Sequence, residues 1–317
     1  MEHLDIGTES LNLVWRRRVL DELLESQFIR DVLFAKLDRP VRWIAIEDDT
    51  ELPLLDNVLV CSFGDTGGYL RTLRARGHRN IGVFHLGDER GTDDVGFYAE
   101  ADYVLRHYFF PERLKDPGGH CRSVLWVPNG WARGIGPRDP AGALSFGQRA
   151  HGVFFAGYAD GADRVLEERT AMLETLRAER IPATVVLSEG FGQGLGRASY
   201  GAYLSDARLA LVPAGNSPET IRLYDALECG ALPVVARHPW LEAAAALGAL
   251  GAPPLITLTD WRDLAQVTSS VLGETSSAAL ADGDARRNRT VEWWAAFKAH
   301  TAARVAATIN DAFTISQ

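Results

Sequence analysis

Short apolar runs alternate with amphipathic stretches along most of this chain. VRWIAIE (41–47), NVLVCSF (57–63), NIGVFHL (80–86) and SVLWVPNG (123–130) are rich in β-branched and aromatic residues and bounded by polar turns, which predicts strands. TGGYLRTLRARG (66–77) has helical spacing and stops at a glycine, and FYAEADYVLRHYF (97–109) predicts a helix or a helix–strand unit. Such alternation predicts a parallel sheet covered on both faces. The pattern breaks at 131–152, a stretch rich in Gly, Pro, Ala and Arg that reads as an interdomain linker. It then restarts: strands at VFFAG (153–157) and ATVVLSE (183–189), helices at 164–179 and 198–207, a late strand at 253–260, and a long amphipathic helix at 291–310. The expectation is an α/β protein with doubly wound domains at 1–140 and 151–290, followed by a C-terminal helix within 291–317. The segment 11–37 has the spacing of an amphipathic helix covering a sheet edge. Its triplet Arg16–Arg18 leaves peripheral contact with anionic lipid open.

One stretch carries the most chemistry: LSDARLALVPAGNSPETIRLYDALECGALPVVAR (204–237). LALVP predicts a strand, AGNSPET a loop, and Ser217-Pro218 an N-cap followed by proline at the first helical position. The helix stops near Gly230, and LPVV opens the next buried strand. A helix N-terminus just beyond a strand end offers unpaired N–H groups and a positive dipole to an anion. Gly215, Asn216, Ser217 and Thr220 sit at that end. Arg222 is placed to make bidentate contacts to a diphosphate, and Glu219 to accept hydrogen bonds from sugar hydroxyls. The helix dipole alone contributes about 0.3–1 kcal/mol, so a charged side chain must carry most of the binding. The site suits a nucleotide diphosphate.

The same residues resemble the donor-binding core of exostosin-like glycosyltransferases, in particular the ribitol xylosyltransferase branch. The pattern E-T-x-R-x-Y-D-A-x-x-x-G-x-x-P-V-V at 219–235 carries the likeness, with a weaker echo over 82–130. The resemblance implies a GT-B fold, two Rossmann-like domains facing a cleft, and transfer of a sugar from a nucleotide donor, most simply a UDP-sugar. It further implies inversion of configuration, no cofactor and no metal, because such folds stabilise the leaving diphosphate with side chains and a helix end. It adds Arg164, after the strand VFFAG, as a second diphosphate ligand. It favours Asp88 or Glu89, in the loop HLGDER, as the base that takes the acceptor proton, with Asp88 preferred of the two. The competing expectation for these acids is a helix cap or an ion pair with Arg90 or Arg106. Asp65, with Gly67 and Gly68 allowing close approach, is a candidate acceptor contact. Two other readings fit the same donor motif: a nucleotide-sugar 2-epimerase, and a non-catalytic nucleotide-sugar binder.

Bulk properties narrow the partners. A net charge of −9 argues against nucleic acid as a partner. Three widely spaced cysteines show neither a disulfide framework nor zinc spacing. No apolar run reaches membrane-spanning length and no signal peptide opens the chain, so a cytoplasmic, bacterial enzyme is expected. The acceptor class stays open among a glycan, a polyol-phosphate polymer and a small molecule. The acidic pairs Asp48-Asp49 and Asp93-Asp94 read as solvated loop charges. GFGQGLG (190–196) lacks the spacing of a dinucleotide fingerprint. It reads as a connection or a mobile loop, with Glu189 or Phe191 near a base. Trp126, Trp131, Trp240 and Tyr158 are candidate stacking platforms.

Overall fold

The computed structural model describes residues 10–16, 23–47, 52–158, 167–190, 193–241 and 250–315. The chain divides into two compact units, Met1–Pro128 with Lys298–Gln317, and Asn129–Phe297.

The first unit is built on six strands: β1 (Leu11–Arg16), β2 (Val41–Ile46), β3 (Val58–Ser62), β4 (Ile81–His85), β5 (Tyr103–Arg106) and β6 (Val124–Trp126). Their order is β2-β1-β3-β4-β5-β6 and every pairing is parallel. Helix α1 (Gly67–Ala75) packs Leu70 and Leu73 against Val58, Val60, Ile81, Val83 and Val104. The 97–109 segment is a 3₁₀ turn followed by β5.

The expectation for 11–37 fails. LNLVWR is not a surface helix but β1, lying between β2 and β3, with Leu11, Leu13, Val14 and Trp15 all buried. The reason is burial on both faces. An inner parallel strand reads as a continuous apolar run, and Leu-Asn-Leu-Val-Trp is one, with Asn12 turning its amide to the Asp56 carbonyl at 2.9 Å. Among the described residues, helical structure follows at Ser26–Leu33. Arg17 and Arg18 lie outside the described residues.

The second unit has five strands: β7 (His151–Tyr158), β8 (Thr184–Ser188), β9 (Ala207–Leu211), β10 (Leu232–Ala236) and β11 (Ile256–Leu258). They too are all parallel, in the order β11-β10-β9-β7-β8. Helices α2 (Glu167–Ala178), α3 (Arg197–Ser205), α4 (Ile221–Glu228), α5 (Leu264–Leu272) and α6 (Ser277–Ile315) complete the α/β pattern. Helix α6 begins well before the expected 291. Among the described residues no helix is long and apolar enough to cross a membrane.

The stretch 131–152 is not a loose linker. Trp131, Phe146 and Arg149 are buried in the second unit. Arg149 donates to the carbonyls of Leu204, Ala207 and Cys229, at 3.4, 2.8 and 3.2 Å. It thereby ties together the last turn of α3, the start of β9 and the end of α4. Trp126 and Trp240 are also buried, so neither they nor Trp131 form an open stacking platform.

Each sheet has a switch point, where successive crossovers leave in opposite directions: β1/β3 in the first unit and β7/β9 in the second. Ligands of open parallel sheets bind beyond the carboxyl ends of the strands at such points. The placement of β1 has a direct test. Leu13→Ala removes a fully buried side chain from an inner strand and is expected to cost roughly 2–5 kcal/mol, read as a lowered denaturant midpoint. A midpoint unchanged from wild type contradicts the inner position.

Candidate functional site

At the β7/β9 switch point of the second unit, three backbone ends converge and arginines hold them. Arg222, in the first turn of α4, donates through Nε to the Ala156 carbonyl near the end of β7, at 3.1 Å, with its guanidinium 5.6 Å from the Phe155 ring centre. It reaches across the strand ends instead of pairing along its own helix with Glu219. Gly157 makes room for it: a Cβ there would lie 2.8 Å from Nη2. Arg169 on α2 donates to the Tyr158 carbonyl at 2.6 Å and to the Ala214 carbonyl at 3.2 Å, so it ties the end of β7 to the loop after β9. The Ala214 N–H in turn donates to Glu168, at 3.0 Å, and the Trp261 indole donates to the same carboxylate oxygen.

The loop 214–220 differs from its expected form. Helix α4 starts at Ile221 with Thr220 as N-cap, three residues later than Ser217-Pro218 predicts. The loop folds on itself first. Gly215 N–H donates to the Ser217 carbonyl at 3.0 Å, and Glu219 N–H to Ser217 Oγ at 3.1 Å. The serine oxygen is therefore spent within the loop, the usual competition between a short polar side chain and a helix. Glu219 is 1% exposed and accepts from the Tyr224 hydroxyl at 2.6 Å, which pins it over the first turn of α4. Asn216 is exposed and Gly215 half-buried, whereas Ser217 and Thr220 are buried. Thr220 Oγ1 has no hydrogen-bond partner among the described residues. Arg164 and Phe191 lie outside the described residues.

In the first unit the acidic loop after β4 is organised by a buried ion pair. Arg106 Nη2 meets Asp88 Oδ2 at 3.0 Å with both side chains out of solvent. Asp88 Oδ1 accepts from the N–H groups of Thr92 and Asp93, at 2.8 and 3.2 Å. Burial alone would raise the Asp88 pKa. The Asp93 N–H and the Arg106 guanidinium outweigh it, and the carboxyl sits below its ordinary value. Asp88 is thus a structural carboxylate with both oxygens engaged, not a base waiting for a proton: of the two expectations, the pair with Arg106 is the one observed.

Arg106 also donates to the carbonyls of His107 and Tyr108, at 3.2 and 3.3 Å. Tyr108 has φ +59, a left-handed conformation that costs a bulky residue on the order of 1–3 kcal/mol and persists only where the surroundings dictate it. The result is that the Tyr108 hydroxyl donates to Glu89 Oε1 at 3.2 Å. Glu89 is only half-buried, so of the two acids it is the one that faces solvent. A second chain runs from the same arginine. Arg106 donates to the Tyr98 oxygen at 3.4 Å, Tyr98 lies 2.6 Å from His85 Nδ1, and His85 Nε2 lies 3.1 Å from Asp93. Burial, then the Arg106 charge, lowers the His85 pKa, so the ring is neutral, with Nδ1 accepting from Tyr98 and Nε2–H donating to Asp93. Asp93 is therefore more than a solvated loop charge.

Asp65 follows β3 at the β1/β3 switch point. It is exposed and accepts the Gly67 N–H at 2.7 Å. Gly67 itself is buried, its Cβ position 3.0–3.1 Å from Asp65, Arg71 and Phe97, whereas Gly68 is the open glycine of the pair. Among the described residues no cluster of three or more His, Cys, Asp or Glu side chains is arranged to hold a metal ion.

Residues 193–314 match the family model of the RXYLT1 C-terminal domain. The matched segment contains α3, the 214–220 loop, α4 and Arg222, while Ala156 and Arg169 lie before it. Among solved structures, the chain is similar to α,α-trehalose 6-phosphate synthase from Burkholderia multivorans, with a TM-score of 0.50 and 13% identity over 84% of this chain and 74% of that one. HepE from Anabaena, solved with UDP and glucose, gives a TM-score of 0.44 at 12% identity over 96% of this chain and 99% of that one. No curated protein matches the sequence. The chain is α/β with two parallel sheets, of the GT-B class.

Sequence reasoning named Arg106 only as an alternative partner for Asp88 and Glu89, and it missed Arg169 and Tyr108. Arg106 and Tyr108 stand inside an apolar run, YVLRHYFF, where a lone cation signals a buried partner. Arg169 had no local signal. The Arg106–Asp88 pair yields a stability prediction. Arg106→Met strands a buried carboxylate and is expected to cost roughly 3–5 kcal/mol, while the double variant with Asp88→Asn loses less than the sum, as chemical denaturation would show. Because the Asp88 pKa is depressed on folding, its contribution is present above the unfolded carboxyl value of about 3.9 and lost as pH falls through the lower folded one. The stability gap between wild type and Asp88→Asn is expected to close in that acidic window.

Proposed function

We propose that the protein transfers a sugar from a nucleotide diphosphate donor, a UDP-sugar, to an acceptor hydroxyl, with inversion and without a metal. The observation that carries this reading is the β7/β9 edge. There Arg222, fixed on the Ala156 carbonyl, stands beside the N-terminus of α4 and the exposed Asn216, within the segment that matches the RXYLT1 C-terminal domain. Guanidinium and helix N–H groups supply positive charge where a diphosphate leaves, and preorganised charge of this kind is the largest single contribution in many group transfers. Gly215, Asn216 and the Thr220 hydroxyl are the donor contacts that accompany Arg222. The buried Ser217 and Glu219 act by shaping the loop. Arg164 is retained as a second diphosphate ligand on the strength of the family likeness alone. In the first unit Glu89 takes the acceptor proton, since Asp88 is committed to Arg106, and Asp65 contacts the acceptor.

The first test is thermal stabilisation by UDP, GDP, TDP, CMP and ADP, each with and without EDTA. Selective stabilisation by UDP that survives EDTA is expected, and at a ligand concentration of 100 Kd it is worth about 2.7 kcal/mol. Arg222→Ala should lose that shift. Glu89→Gln should keep it while turnover falls by about 10²–10⁴. A shift from no nucleotide removes the donor site; full turnover in Arg222→Ala removes its role. Turnover of a UDP-sugar with no acceptor present identifies an epimerase, and the anomeric configuration of the product, read by NMR, decides inversion.

A further inference from the structure

Helix α4 carries a second group that the donor reading does not use. Asp225 lies one turn beyond Arg222 on the same helix face and is 2% exposed. Its Oδ1 accepts the Ala132 N–H at 2.7 Å, so it anchors the turn that opens the second unit, and the Tyr200 hydroxyl of α3 is hydrogen-bonded to it as well. Among the described residues, the ionisable groups that act on it include Arg222 on α4, Cys229 just after that helix, and Arg197 and Tyr200 on α3, while the 131–132 segment gives it the Ala132 N–H. An asparagine could hold the same N–H without placing a charge in the interior. A carboxyl at this point instead has a consequence for its neighbour: when ionised it cancels part of the field of Arg222 at the strand edge, and when protonated it releases that field.

We propose that Asp225 is the positioning residue of the donor site, and that it takes up a proton when an anionic diphosphate binds beside Arg222. The proton comes from solvent and forms the carboxyl O–H; no other bond changes. The inference rests on the reading of Arg222 as an anion-binding residue. Its direction follows from electrostatics. A diphosphate brought near Asp225 disfavours the ionised carboxyl, and by linkage the protonated protein binds the diphosphate more tightly. Burial raises the Asp225 pKa to about 7, against the opposing pull of the Ala132 N–H, Arg222, Tyr200 and Arg197, so the exchange falls at neutral pH.

Calorimetry tests it. UDP-glucose, UDP-xylose and GDP-mannose are suitable probes because the diphosphate of a nucleotide sugar stays fully ionised across this range. Titration at pH 6, 7 and 8, in buffers of different ionisation enthalpy, counts the protons exchanged. Wild type is expected to take up a fraction of a proton near pH 7, with Kd weakening as pH rises, by at most tenfold per pH unit. Asp225→Asn is expected to bind with no such uptake and a flat Kd. Tyr200→Phe, which removes a hydrogen bond that favours the ionised carboxyl, should move the uptake window to higher pH and serves if Asp225→Asn does not fold. Binding by wild type with no proton exchange, or uptake unchanged in both variants, overturns the proposal and leaves the donor site standing. Absence of binding by every nucleotide sugar overturns the donor-site reading itself and the proposal with it.

Discussion

A parallel sheet leaves carbonyl groups unpaired where its strands end, and those groups must find donors if the edge is to be covered by chain. In this protein arginines do much of that work. Arg222 takes the carbonyl of Ala156; Arg169 takes those of Tyr158 and Ala214; Arg106 takes those of His107 and Tyr108. The requirement is one of backbone satisfaction, yet its solution gathers cations along the edges where such folds bind ligands. Much of the local geometry follows from it: the loop after β9 is held by Arg169, and the acidic loop after β4 is held by Arg106 through Asp88.

The two edges treat charge differently. In the first unit the guanidinium of Arg106 is fully enclosed and neutralised by Asp88, so its effect is mechanical. It fixes a left-handed tyrosine and a neutral histidine, and through them the orientation of Glu89 and Asp93. Exposing Arg106 to a ligand would forfeit that arrangement. In the second unit Arg222 is only partly buried, its carbonyl partner bears no formal charge, and Asp225, one turn along the helix, interacts with it through charge. A cation so placed keeps most of its attraction for an incoming anion. The glycine at 157 belongs to the same design, since any side chain there would press on the guanidinium.

Strand and helix positions in both units were largely legible from apolar periodicity, because parallel strands buried on both faces leave short continuous runs that polar turns interrupt. The exception is instructive. Residues 11–16 carry a strand's run, but the charged and leucine-rich residues that follow impose a helical period on a longer window and hide it. The helix start at Ser217-Pro218 was misplaced for a different reason. Cap residues also make turns, and only the packing of Glu219 under Tyr224 decides between the two. Of the site, Arg222 was legible because sequence places it at a strand–helix junction. Asp88 and Glu89 looked alike in sequence; what separates them is Arg106, a partner 18 residues away that one strand pairing brings to Asp88 alone.

The long helix α6 also bears on how this protein is made. Its last residues, from Lys298 onward, belong to the unit whose strands are the first to be synthesised. Arg39, just before β2, donates to Asn310 at 3.0 Å and lies 3.6 Å over the ring of Phe313. The first unit therefore draws on sequence from both sides of the second, and its pieces can meet only once the residues beyond Phe297 have been made. The second unit, contiguous from Asn129 to Phe297, has all of its own sequence before then. Order of completion is reversed relative to order along the sequence: the unit whose strands come first is the one whose sequence is complete later.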